Sequence, residues 1–243
     1  MRYIDLNSLL VKKKSWGKRK ELWKNKKLQE DFRKHSFNKC WYTEVILLGQ
    51  DTPIDHWRPK AEVKPYKHYN YNKTIAAQGY DWLANEPTNY RLSCTYANRK
   101  TGNGGKGCYF PLADSSEYLT PNGNEIEIPL LLDPCNKNDV KLISYLGSEV
   151  VAITSNNFEK ERVKVSSEIY NMNDSEIKAE RRRVWDEVEK TIEEYDSNEI
   201  SKKACLRRLK AAVNRDAQFS ACAIACVNSL ASDEIKQELD LNL

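Results

Sequence analysis

Hydrophobic and polar residues follow three different patterns along the chain. Up to about His35, single apolar residues recur among lysines and arginines at helical spacing, which predicts a basic helical segment with one packed face. Over residues 38–112 the apolar runs are short and are broken by Pro, Gly and Asn, as is typical of short strands and loops. The last part of the chain has helical spacing to its end, which predicts a mainly helical C-terminal region.

Strand-type patterns recur between the second and third parts. Residues 125–132 have the pattern of a strand, and residues 140–145 and 149–153 flank Leu146-Gly147-Ser148 as expected for a hairpin. A long helix should follow, capped by Asn173 or Ser175, with apolar residues at helical spacing. We therefore expect an α+β fold with three parts: a basic N-terminal helical segment (1–36), a central core (37–113) and a hairpin followed by helices (114–243).

Composition narrows the class of protein. The 243 residues include 40% hydrophobic and 30% charged side chains, which suits a folded protein, and no apolar run reaches the roughly 20 residues that span a bilayer. The seven cysteines are widely spaced, so we expect reduced thiols and a cytoplasmic location without membrane contact. The net charge of +4 is modest, but the excess of basic residues lies near the N-terminus.

Candidate chemistry lies in the central core. A strand that ends near Pro59 and a helix that starts near Thr95 can bring Asp55 and Asn98 to opposite sides of a gap that suits a hard cation such as Mg²⁺. An imidazole at His56 can take a proton from water near neutral pH. Since neighbouring strand residues point to opposite faces, Asp55 and His56 can serve one site only at a strand end or a twist.

Basic residues close to these pieces are candidates for contact with phosphate. Arg58 and Lys60 can each stabilise a pentacovalent phosphate, and Arg58 ranks higher because its guanidinium binds two oxygens at once. The expected contacts with a nucleic-acid backbone are Lys60, Arg99, Lys100 and Lys106. His35 and His68 are expected to be structural, and Cys222 and Cys226 to be small core residues.

Several segments taken together resemble one family. They are residues 39–44 (KCWYTE), 54–60 (IDHWRPK), 80–84 (YDWLA), 89–94 (NYRLSC), 98–99 (NR) and 110–112 (FPL), with weaker echoes at 131–134, 146–147 and 169–173. The chain resembles the HNH nucleases, and in particular the PtuB-type HNH proteins found with Septu antiviral defence systems and some retrons. This resemblance implies a ββα-metal HNH core embedded in a mainly helical chain.

The resemblance also implies roles for individual residues. His56 would be the general base, Asp55 and Asn98 would hold the metal (Mg²⁺, Mn²⁺ or another divalent cation), and Asn89 would tie down the loop that orients His56. Many relatives bind a structural zinc with two Cys-x-x-Cys knuckles. Only Cys40 and Cys94 of those knuckles remain here, so we expect no structural zinc, and packing of Trp41, Tyr42 and Trp82 in its place.

Three functions stay open on the sequence alone. The resemblance favours a DNA endonuclease acting with a PtuA-like ATPase, and it leaves a retron reverse transcriptase with its nucleic acid as a further partner. The same chemistry can cut RNA, such as a transfer RNA. A catalytically decayed nucleic-acid-binding adaptor is the alternative from another class, because the lost cysteines show that the motif tolerates change. The C-terminal helices form either a partner surface or a closed internal core.

Overall fold

Helices dominate the fold, and two small antiparallel sheets complete it. The computed structural model describes residues 1–49, 54–67, 69, 79–99 and 104–240. The α+β class predicted from the sequence is confirmed. The α-helices of the described residues are α1 (Leu6–Leu10), α2 (Lys13–Trp16), α3 (Lys26–His35), α4 (Thr95–Asn98), α5 (Lys137–Val140), α6 (Asn157–Ile169), α7 (Ser175–Asp196), α8 (Lys202–Val213), α9 (Ser220–Leu230) and α10 (Asp233–Glu238). The strands are β1 (Ile54–His56), β2 (Tyr90–Leu92), β3 (Ile143–Leu146) and β4 (Glu149–Ala152).

The basic N-terminal segment is broken into short helices. Gly17 has a φ of +70°, which ends α2, and the side chain of Asn25 caps α3 by accepting a hydrogen bond from the Leu28 amide at 3.0 Å. The apolar face of the segment is buried as predicted. The Phe32 ring of α3 stacks on Trp41, with 5.1 Å between ring centroids and 2° between planes, so the segment packs against the central core.

The first sheet pairs β1 with β2. Ile54 lies opposite Leu92, Asp55 opposite Arg91 and His56 opposite Tyr90, and α4 follows β2 directly. Strand β1 ends just before Pro59 and α4 starts at Thr95, as the sequence predicts for this strand and helix. The chain leaves the sheet after His56 and reaches Pro59 three residues later.

The second sheet is the predicted hairpin of β3 and β4. Gly147 turns the chain with a φ of +57°, a left-handed conformation that favours glycine over residues with a side chain. The strand expected over residues 125–132 is not formed. The segment makes a single bridge between Leu112 and Pro129, and the pairing goes no further at Ile128, because the Ile128 amide donates to the Ser116 hydroxyl at 2.6 Å and not to the facing backbone.

The C-terminal helices pack around a hydrophobic core of their own. Helix α7 is capped by Asp174, which accepts from the Glu176 amide at 3.0 Å, and not by Asn173 or Ser175 as expected. The apolar faces of α7, α8, α9 and α10 meet in a cluster that includes Cys222 and Cys226, as predicted for these two cysteines. These helical faces therefore form a closed core. In the described residues, no helix combines the length and the apolar character needed to cross a membrane.

Candidate active site

A cavity of about 260 Å³ lies where β1 ends against α4. Its lining includes Asp55, His56, Lys60 and Asn98, together with Trp23 from the N-terminal segment. His56 is the last residue of β1, and both it and Asp55 line this cavity although they are neighbours in the chain. Four of the residues singled out in the sequence, which lie up to 43 positions apart, thus meet in one place, since Asn98 is the last residue of α4 beside the strand end.

The backbone carbonyl of Ala84 fixes the orientation of the His56 imidazole. His56 Nε2 lies 2.9 Å from this oxygen, and the Tyr90 hydroxyl donates to the same oxygen at 2.7 Å. A carbonyl oxygen only accepts hydrogen bonds, so Nε2 must carry the proton. Nδ1 of the neutral ring therefore has the lone pair that a general base needs. The rings of Trp23 and Tyr90 pack edge-on to the imidazole, with centroid distances of 5.0 Å and 5.2 Å.

Burial keeps His56 neutral at physiological pH. The loss of water around the imidazole lowers the pKa of His56 to about 4, against the opposing effects of the Ala84 carbonyl and the Asp55 carboxylate. At pH 7 the ring is in the basic form in nearly all molecules. It can therefore accept a proton without first having to lose one.

Asn89, which directly precedes β2, binds the segment that follows β1. Its side-chain oxygen accepts from the Arg58 amide at 2.8 Å, and its side-chain nitrogen donates to the Arg58 carbonyl at 2.9 Å. Its own carbonyl accepts from the Trp57 amide at 2.8 Å. Asn89 thus pins the backbone that follows His56. This contact is of the kind expected for Asn89, although it reaches the segment after His56 and not the Ala84 loop.

The two expected phosphate ligands after His56 lie in different surroundings. Arg58 is held by Glu127, whose Oε2 lies 2.6 Å from both Nε and Nη2, and Arg58 is not part of the cavity lining. Lys60 lines the cavity, and its ammonium lies 3.4 Å from the centre of the Trp23 ring. The structure therefore places Lys60, and not the higher-ranked Arg58, beside His56.

Asp55 is already engaged by two buried partners. The Tyr42 hydroxyl donates to Oδ2 at 2.6 Å, and the Lys106 ammonium lies 3.0 Å from Oδ1 and 2.7 Å from the His56 carbonyl oxygen. The Lys106 side chain is 0% exposed. Its expected role as a contact to nucleic acid does not agree with this position, because a fully buried ammonium cannot reach a substrate. Lys106 lies between Gly105 and Gly107, and this local sequence gives no signal of burial.

Arg99, a further basic candidate, is not among the residues that line the cavity. Arg99 follows α4 directly and is exposed to solvent, which leaves it accessible to a ligand. Lys100 lies outside the described residues, and so does His68.

A divalent cation would find a small set of hard oxygen donors in the cavity. The Asp55 carboxylate and the Asn98 amide have the right chemistry, and each carboxylate oxygen has a second lone pair beside its present hydrogen bond. Within residues 1–49, 54–67, 69, 79–99 and 104–240, no group of three or more His, Cys, Asp or Glu side chains is arranged to hold a metal. By their chemistry these residues suit an ion such as Mg²⁺, which keeps water and substrate oxygens as further ligands, although Lys106 already forms an ion pair with Asp55.

The two cysteines compared above with zinc knuckles lie in a packed cluster beside the site. The Cys40 and Cys94 thiols are both buried, and Thr43 Oγ1 lies 3.6 Å from Cys94 Sγ. Ala97 is buried next to them. The expected packing of Trp41 and Tyr42 is present, since Trp41 stacks on Phe32 and Tyr42 stacks on Tyr170 with 3.9 Å between centroids. Trp82 does not share in it, because its surface is 36% exposed.

Sequence reasoning missed three groups of this site. The Ala84 carbonyl belongs to the backbone, so the residue type gives no signal of its role. Trp23 lies more than 30 positions from His56 in a segment expected to form a separate helix. Tyr42 was assigned to packing alone, yet its hydroxyl binds Asp55. Each of these three groups reaches the site only through tertiary contacts, which the sequence does not show.

Comparison with known proteins does not assign this chain to a family, so the fold and the cavity are the basis for classifying the protein. The chain matches no model of a known protein family, and no curated protein matches it. Fold and cavity define an α+β protein with a neutral histidine, a carboxylate and an amide gathered at the end of a two-stranded sheet.

Proposed function

We propose that the chain is a metal-dependent endonuclease of the HNH class that hydrolyses phosphodiester bonds in DNA. In this proposal β1, β2 and α4 form the ββα-metal core. The observation that carries it is the position of His56, whose Nδ1 is free of the proton in a cavity that also contains Asp55, Asn98 and Lys60. A decayed adaptor has no need for a histidine whose tautomer is fixed in this way.

Five side chains in and beside the cavity have defined tasks in the proposed reaction. His56 Nδ1 accepts the proton of a water molecule that attacks phosphorus. Asp55 and Asn98 would hold the divalent cation, Mg²⁺ or Mn²⁺, which when bound supplies positive charge for the phosphate and the departing oxygen. Lys60 binds a phosphate oxygen from the side of Trp23. Asn89 positions the backbone after His56.

Replacing the proposed base tests the proposal directly. His56→Ala should lower the rate of supercoiled-plasmid cleavage with Mg²⁺ by about 10²- to 10⁴-fold, the usual contribution of a general base. Binding to the same DNA, measured by gel shift, should be kept. His35→Ala is the matched control, since His35 is half-buried at the end of α3 and far from the proposed chemistry in the sequence. Cleavage by His56→Ala at the wild-type rate would contradict the proposal.

The same experiment can separate the substrate classes. Incubating the chain with plasmid and with total cellular RNA side by side, each with and without a PtuA-like ATPase, shows which polymer is cut and whether the partner is required. We expect DNA to be cut, in the cytoplasm of the producing cell, where the free cysteines stay reduced. Cutting of RNA alone would support the transfer-RNA alternative. Tight DNA binding without cleavage under every metal and partner condition would support the adaptor.

A further inference from the structure

Lys106 is a charged side chain that lies entirely inside the proposed site. Its ammonium is 3.0 Å from Asp55 Oδ1 and 2.7 Å from the His56 carbonyl oxygen. The backbone around it is fixed as well, because the Lys106 amide donates to Ala97 O and the Gly107 amide to Asn98 O, both at 2.8 Å. Lys106 thus belongs to the same framework as the proposed metal ligands.

A fully buried ammonium requires a partner of opposite charge. Moving a charge out of water costs several kcal/mol in proteins, and a close carboxylate offsets that cost. Asp55 is the carboxylate that pairs with Lys106. It is also the carboxylate that the proposed divalent cation needs, so two cations depend on one anionic group. In the proposed function, Lys106 and the divalent cation therefore require the same carboxylate.

We propose that Lys106 is an internal cation that competes with the divalent metal for Asp55, so that metal binding requires the Lys106–Asp55 ion pair to open. The inference rests on the proposed function, because it assumes that the metal binds at Asp55. The resting chain is then a weak metal binder whose carboxylate is occupied by its own lysine. The ammonium also bonds to the His56 carbonyl, and opening of the pair alters the backbone of the base at the same time.

The affinity for Mn²⁺ in the absence of nucleic acid tests the competition. Removing an ion pair with a merely structural role would not raise this affinity. Mn²⁺ binding is measured by electron paramagnetic resonance and by calorimetry on four proteins: wild type, Lys106→Met, Asp55→Asn/Lys106→Met and Lys64→Met. Lys64 is the matched control, since it is an exposed lysine paired with Glu62. We expect Lys106→Met to bind Mn²⁺ at least about tenfold more tightly than wild type, the double variant to lose that binding, and Lys64→Met to equal wild type.

The failures of the two proposals have different signatures. Equal Mn²⁺ affinity in wild type and Lys106→Met, with loss of binding in the double variant, leaves Asp55 as the metal ligand and overturns the competition. Absence of Mn²⁺ binding in both the wild type and the folded Lys106→Met variant overturns the metal site and, with it, the competition.

A second measurement on the wild-type protein covers the case in which Lys106→Met does not fold. Lysines are labelled with an amine-reactive reagent, and the labelling of Lys106 is measured by mass spectrometry with and without saturating Mn²⁺. Lys106 should be protected in the free protein because it is fully buried, and it should become reactive with Mn²⁺, whereas Lys64 should be labelled equally in both. Continued protection of Lys106 at saturating Mn²⁺ would show that the pair stays closed and would overturn the inference.

Discussion

Replacing Asn89 by Ala tests whether the structure identifies the group that positions the base. The change removes two hydrogen bonds, to the Arg58 amide at 2.8 Å and to the Arg58 carbonyl at 2.9 Å. Each bond contributes about 1 kcal/mol net, and a buried backbone group left without a partner costs about 1–3 kcal/mol. Because Arg58 itself is half-buried, water can satisfy part of what is lost. We expect the free energy of unfolding to fall by about 2–4 kcal/mol.

Two assays on the same variant separate stability from positioning. Urea unfolding followed by tryptophan fluorescence gives the free energy, and Asn122→Ala, at an exposed asparagine, should leave it unchanged. The kcat of plasmid cleavage should fall by about 10²-fold at temperatures where the variant is folded, with KM for DNA little changed, because a displacement of about 1 Å at the base has such an effect. A loss of less than about 0.5 kcal/mol, or an unchanged kcat in the destabilised variant, would refute the assignment.

Two further predictions concern charge. Asp133→Asn should cost about 3–5 kcal/mol in urea unfolding, because it leaves buried Arg91, now bonded at 2.7 Å and 2.6 Å, without its counter-ion. Burial raises the pKa of Asp133, but the Arg91 guanidinium outweighs burial, and the pKa lies below its ordinary value. The stabilisation by this ion pair is therefore complete above about pH 5 and is lost as pH falls through the folded pKa. The difference in unfolding free energy between wild type and variant should narrow below about pH 4, and a constant difference would contradict the pairing. Lys60→Ala should weaken DNA binding and lower the slope of log affinity against log salt by about 1, while Lys64→Ala at an exposed ion pair should not; equal slopes for the two would remove Lys60 from the phosphate contacts.

The sequence predicts the local elements of the site because their signals are local. Apolar alternation and Pro59 predict β1 and its end, and the short spacing from Asn89 to Asn98 predicts a strand followed by a helix, as the structure has them. The break in the N-terminal segment had a local signal too, in Gly17, but the helical spacing on both sides of that glycine concealed it. The cap of α7 differs by one residue from the two expected, because Asp, Asn and Ser are equivalent as caps and neighbours compete for the position.

The electrostatics of the site could not be predicted, because they depend on pairs distant in sequence. Lys106 lies 51 positions from Asp55 and was expected at the surface, as lysines usually are. Arg58 was ranked above Lys60 on the chemistry of its side chain, but Glu127, which lies 69 positions away, binds it. Pairing between segments decides which cation reaches the cavity. Composition and spacing carry no information about that choice.

The charges of the cavity suggest how substrate and metal would depend on each other. Asp55 and Lys106 neutralise each other and His56 is uncharged, so among the described residues of the cavity lining Lys60 is the cation that remains for a ligand. A phosphate entering beside Lys60 brings negative charge and oxygen ligands of the kind that Mg²⁺ takes from substrates. It thereby favours the divalent cation over the single charge of Lys106 at Asp55. Because linkage is reciprocal, nucleic acid should raise metal affinity by the same factor by which metal raises affinity for nucleic acid. In this proposal the chain binds metal weakly until a phosphate backbone is present, which would restrain hydrolysis in the resting protein.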